Sequence, residues 1–135
     1  MARKKPPVRL SQLQLAVMKS LWARGTASVN EVHKDLFQAL QLAPTTIATV
    51  LRRMEAKKLV THEELGRQFI YRPQICESEI AESAAEEVLD HLFEGRLAEM
   101  VMHLLEKRKL GRDELDQLSH LIAEKRKQFK SKEST

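Results

Sequence analysis

The stretch Pro44–Lys57, PTTIATVLRRMEAK, decides the fold. Read as a helix at about 100° per residue, it separates into two faces. Ile47, Val50, Leu51 and Met54 recur at i, i+3, i+4 and i+7 and form the side to be buried. Thr45, Thr49 and Arg52 fall opposite, with Thr46 and Arg53 at the margins. An ordinary solvated face carries Glu and Lys pairs at helical spacing; this one carries hydroxyls, an alanine and guanidiniums. Such a face suits a DNA major groove. Short side chains allow close approach, a Thr meets a phosphate or a thymine methyl, and an Arg forks onto a guanine or a phosphate. A plain surface helix with two arginines reads the same from this stretch alone, so the flanking chain has to decide.

Upstream lie two capped helices. Ser11-x-x-Gln14 is a capping box. The helix it opens runs to Arg24, with Leu13, Val17 and Leu21 on one side, Leu15, Met18 and Trp22 beside them, and Gly25 as its stop. Trp22, the single tryptophan, is expected in the core. Ser28-x-x-Glu31 is a second capping box, and its helix, Val29–Leu40, spaces Val29, Val32, Leu36 and Leu40 along one side. Gln41–Ala43 is a short turn, and Pro44 sits at the first helical position, where a missing N–H does no harm. Two helices joined by a short turn, the second bearing hydroxyls and arginines, make a helix-turn-helix. Ahead of them, residues 1–10 read as a basic, flexible tail.

After Lys58 the period falls from 3.6 to 2. Leu59–Glu64 and Gln68–Arg72 read as strands around Leu65-Gly66-Arg67, with Phe69 and Tyr71 on one face and Gln68, Ile70 and Arg72 on the other. A hairpin following a recognition helix is a wing, and its tip offers Arg67 to DNA. Pro73 closes the strand, so residues 11–74 form the expected winged-helix domain.

Beyond it the pattern is helical only. Glu77–Glu94 carries Ile80, Ala84, Val88 and Leu92 beside Ala81, Ala85, Leu89 and Phe93, and Gly95 ends it. Arg96–Lys109 carries Leu97, Met100, Val101, Leu104 and Leu105; Arg112–Lys127 carries Leu115, Leu118, Leu121 and Ile122. Three amphipathic helices of this length close little core alone. Residues 75–127 are therefore expected to dimerise, through Val88, Leu92, Leu97, Met100, Val101, Leu104, Leu105 and Leu118, with residues 128–135 as a basic, polar tail. A two-fold dimer also suits a palindromic operator. The expected fold is thus mainly α, a winged helix-turn-helix followed by an all-α dimerisation region.

Charge supports the division of labour. Residues 1–74 hold 13 Lys and Arg against 5 Asp and Glu, a net of +8, whereas residues 75–135 hold 10 against 14, a net of −4. A basic half joined to an acidic half fits a nucleic-acid module joined to an assembly module. A winged-helix adaptor that binds protein instead of DNA is the alternative, but it has no need of a positive face. No run of 18 apolar residues offers a membrane span, and MARKKPPVRL lacks the apolar stretch of a signal peptide, so a cytoplasmic protein without membrane insertion is expected. The lone Cys76 excludes an internal disulfide and a CxxC metal cluster. No Gly-rich phosphate loop, GxSxG, HExxH or carboxylate pair is present, and His33, His62, His91, His103 and His120 are scattered. No catalytic residue, metal site or cofactor is expected.

SQLQLAVMKSLW, PTTIATVLRRMEAKK, GRQFIYRP and LFEGRLAEMVMHLLEKRKLGRDEL, in this order and spacing, resemble the penicillinase-repressor family over about Leu10 to Ile122. These are bacterial winged-helix repressors of β-lactamase and methicillin-resistance operons, with copper-responsive relatives. The resemblance implies a homodimer that represses by binding an operator, and a membrane sensor protease as a further partner. Three departures stand out. Ala43 occupies the helix cap where the family usually has Ser or Asp, and Lys58 stands where it often has Gly. In β-lactam-responsive members the sensor cuts an Asn–Phe bond in the second C-terminal helix; the matching pair here, the candidate proteolytic site, is His103–Leu104. The paired CxC motifs of the copper-responsive relatives are missing, which excludes copper sensing through thiolates.

Overall fold

The structure, a computed structural model, describes residues 8–133. The chain divides between Val88 and Leu89 into two compact units. In the first, α1 (Gln12–Arg24) starts with the expected reciprocal cap: the Gln14 amide donates to Ser11 Oγ at 3.1 Å and the Ser11 amide to Gln14 Oε1 at 3.0 Å. It ends where Gly25 takes φ 81°, open to glycine at little steric cost. The second capping box is also present, with Ser28 opening α2 (Val29–Leu40). After the turn, α3 (Pro44–Ala56) begins with Pro at its first turn and without a side-chain cap at Ala43.

Strands β2 (Val60–Leu65) and β3 (Gln68–Pro73) form the hairpin, one residue later than the sequence suggests at its start. Leu59 stays outside the strand because its amide donates to the Met54 carbonyl at the end of α3, at 3.0 Å. Leu65 pairs with Gln68, which leaves only Gly66-Arg67 in the turn. Gly66 has φ 64°, the positive value a two-residue hairpin needs at its first central position. A two-residue strand, β1 (Ala27–Ser28), went unanticipated; it pairs antiparallel with β3, giving the order β1-β3-β2. Two residues are too few to show a period.

The core of this unit joins α1 (Val17, Met18, Leu21), α2 (Val32, Leu36), α3 (Ile47, Leu51, Met54) and the sheet (Ala27, Val60, Tyr71). Leu40, expected along the buried side of α2, is exposed instead because it lies on the helix's last turn. Trp22 packs against the core and donates its indole N–H to the Ile75 carbonyl at 2.8 Å. The start of α4 (Glu77–Leu92) belongs here too. Ile80 is buried, the Val8 amide donates to Ser83 Oγ at 3.0 Å, and Arg9 pairs with Glu87. The compact unit thus runs past Pro73 to Val88, and the last three residues of the expected flexible tail are held in place; residues 1–7 lie outside those described.

The second unit contains the end of α4, α5 (Leu97–Lys107) and α6 (Arg112–Glu133). Glu94 and Gly95, with φ 50° and 79°, make the turn between α4 and α5. The expected polar tail from residue 128 is helical through Glu133, because Lys and Gln propagate a helix well; residues 134–135 lie outside those described. No residue described in this unit is buried.

Candidate nucleic-acid interface

Helix α3 buries Ile47, Leu51 and Met54, and this fixes what it presents outward. Thr45, Thr46, Arg52 and Arg53 are exposed. Thr49 is half-buried, and its hydroxyl donates to the Thr45 carbonyl at 3.0 Å. Its proton is committed to the helix, so Thr49 is left with a methyl and acceptor lone pairs, which suit a base edge better than a phosphate.

Arg67 is exposed at the hairpin tip. Arg52 and Arg67 line one cleft of about 400 Å³, together with Asn30 from the first turn of α2, Ala48 from α3, and Gln68 and Phe69 from β3. Among the described residues neither Arg52, Arg53 nor Arg67 is held in an ion pair, whereas Arg72 on the same hairpin is paired with Glu63 at 2.9 Å. The sequence places Arg52 and Arg67 on two separate elements; the fold aims them into one opening. Asn30 and Gln68 were not foreseen, since a single polar residue carries no periodicity to mark it.

One of the scattered histidines acquires a role. The His62 Nδ1–H on β2 donates to the Glu55 carboxylate on α3, at 2.6 and 2.8 Å from its two oxygens. The imidazole stacks on Phe69 with centroids 4.3 Å apart and leans on Tyr71 at 5.3 Å. Burial pushes the Tyr71 phenol up, and nearby Glu55 adds to this while Arg52 opposes it. On the other side of α2, Arg24 forks onto Asp35 with two contacts of 2.7 Å and reaches Glu31 at 2.9 Å, and Ser20 also donates to Asp35. The Arg24 and Ser20 hydrogen bonds hold the Asp35 carboxyl down at about 2. This network ties α1 to α2 and so sets the platform from which α3 projects.

The residues proposed for dimerisation are open. Val88, Leu92, Leu97, Val101, Leu104 and Leu105 are exposed, Leu92 by 75%, while Met100 and Leu118 are half-buried. His103–Leu104 lies exposed within α5, with the His103 ring 5.6 Å from Phe93. Among the described residues no helix is long and apolar enough to cross a membrane.

A helix-turn-helix flanked by an arginine-tipped β-hairpin is a winged helix-turn-helix protein, mainly α. The chain belongs to the penicillinase-repressor family, whose model, described as Penicillinase repressor, matches residues 10–124. It is 34% identical over 116 residues to the penicillinase repressor of Bacillus licheniformis, covering 86% of this chain and 91% of that one. It is 33% identical over 118 residues to the transcriptional regulator BlaI of Mycobacterium tuberculosis, covering 86% and 84%. The solution structure of the DNA-binding domain of the repressor BlaI aligns with 57% of this chain and 93% of its own, at 39% identity and a TM-score of 0.49. The family is one of transcriptional repressors.

Proposed function

We propose that this chain is a homodimeric, cytoplasmic transcriptional repressor, not an enzyme, that binds a palindromic DNA operator through α3 and the wing. One observation carries the proposal: Arg52 and Arg67 reach a common cleft, and neither has an ion-pair partner among the described residues. Two guanidiniums that converge on one opening without a carboxylate partner suit an anionic, acceptor-rich ligand, which duplex DNA supplies. Arg52 and Thr49 read base edges. Thr45, Thr46 and Arg53 position the helix on phosphates, and Arg67 contacts the backbone or minor groove beyond it.

The exposed apolar row on α4 and α5 pairs with its copy in a second chain. A rigid dimer engages two half-sites with the effective concentration of a linked pair. Cutting or unfolding α5 separates the heads and ends repression without touching α3. A membrane sensor protease acting at His103–Leu104 fits this scheme; because both residues lie within a helix, α5 has to open before a protease reaches the bond.

Salt titration of binding tests the proposal. Wild type loses affinity steeply with salt as phosphate counterions are released. Arg52→Ala costs ~1–3 kcal/mol and relaxes base preference, whereas Arg53→Ala weakens all sequences alike and lowers the salt slope by about one. Salt-insensitive binding, or no binding to any duplex, would sink the repressor function and leave the adaptor.

A further inference from the structure

We infer that His62 is a positioning residue for Arg52: by holding the Glu55 carboxylate it keeps that charge off the guanidinium meant for DNA. The inference rests on the repressor function proposed above. Glu55 follows Arg52 by three residues on α3, one helical turn along, and at that spacing a carboxylate and a guanidinium are natural partners. The structure shows a different pairing. Both Glu55 oxygens face His62 Nδ1, at 2.6 and 2.8 Å, and Arg52 has no ion pair among the described residues. Arg52 lines the same cleft as Tyr71, the ring against which the Glu55-bound His62 leans.

The imidazole is itself fixed. Stacking on Phe69 at 4.3 Å and contact with Tyr71 at 5.3 Å leave its Nδ1 edge toward α3. Phe69 and Tyr71 line the cleft that Arg52 and Arg67 share, so His62, held between Glu55 and these two rings, joins α3 to the hairpin beside that cleft. Without the His62 donor, Glu55 turns to Arg52. This neutralises the contact and brings a negative charge closer to the polyanionic duplex, and both effects lower affinity.

The test uses the full chain and a duplex that the wild type selects from a randomised library, with affinity read by fluorescence anisotropy. His62→Phe keeps a ring on Phe69 but removes the donor; it should weaken binding about tenfold, worth ~1.4 kcal/mol, with little change in melting temperature. His62→Leu, which needs no stacked ring to fold, should lose a similar factor. His62→Gln, which still donates to the carboxylate, should stay within about threefold of wild type, and so should Glu55→Gln. The deciding variant is His62→Phe with Glu55→Gln, where the competing charge is gone: affinity should recover to within about threefold of wild type. A double variant as weak as His62→Phe alone would make the His62 role structural and overturn the inference. Wild-type affinity in both His62→Phe and His62→Leu would overturn it as well, with the repressor function intact if Arg52→Ala still weakens binding. If Arg52→Ala leaves binding unchanged, the inference and the reading face of α3 fall together.

Discussion

The two halves of this chain differ in what they bury. Up to Val88, three helices, a three-stranded sheet and the start of α4 enclose Val17, Met18, Leu21, Val32, Ile47, Leu51, Met54, Val60 and Tyr71 at 1% exposure or less. From Leu89 onward, no described residue is fully buried, and leucines such as Leu97 and Leu104 keep more than half their surface in water at 59% and 51%. Both parts have amphipathic helices. The difference is geometric. Helices that cross one another and close on a sheet share a core, whereas a row of helices with one apolar side each needs another surface to bury it. The first half is therefore expected to fold alone and the second to be stable only when paired.

Dissection is the most direct way to break this comparison. Residues 8–88 should unfold cooperatively and independently of concentration, whereas residues 89–133 alone should show little fixed structure by circular dichroism at micromolar concentration. A cooperative, monomeric C-terminal fragment would refute the contrast. Next in size, Leu51→Ala should cost about 3 kcal/mol, the transfer and cavity terms of a fully buried leucine, at any protein concentration. Leu104→Glu on the exposed row should leave the unfolding of the first half unchanged but halve the mass found by light scattering. A wild-type chain that is already monomeric at micromolar concentration would remove the basis for the dimer.

Smaller effects sharpen the account of the first half. Asp35 is held at about 2, below its usual 3.8, by Arg24 and Ser20. A depressed carboxylate contributes stability that is complete above its unfolded pKa and is lost as pH falls through the folded one. The loss should therefore fall between about pH 4 and pH 2. The site lies near the surface, so screening reduces the effect to about 1 kcal/mol. Asp35→Asn should cost about that much at pH 7 and flatten this limb of the pH–stability curve. Smallest of all, Lys58 occupies a left-handed conformation at φ 65° that favours glycine. Lys58→Gly should raise stability by about 0.5–1 kcal/mol, measured by urea unfolding; no gain would mean that the Lys58 side chain makes a compensating contact.

The local elements and their faces are legible in the order of residues alone. Capping boxes at Ser11 and Ser28, Pro44 at a first helical turn, and the Ile47–Met54 spacing announce helices and their buried sides, because these signals act within a turn or two of chain. The change of period after Lys58 and the glycine at position 66 announce the hairpin for the same reason. Features set by distant partners emerge only once the chain has folded. β1 exists because Ala27 and Ser28 lie beside Tyr71 and Ile70, more than 40 residues away. The unit extends to Val88 because Ile80 and Ser83 find the core and Val8. His62 looked like one of five scattered histidines until the hairpin folded back on α3 and set it between Glu55 and Phe69. Periodicity reports which way a side chain points; hydrogen bonds and ring stacking across elements depend on where the chain returns, and no local pattern encodes that.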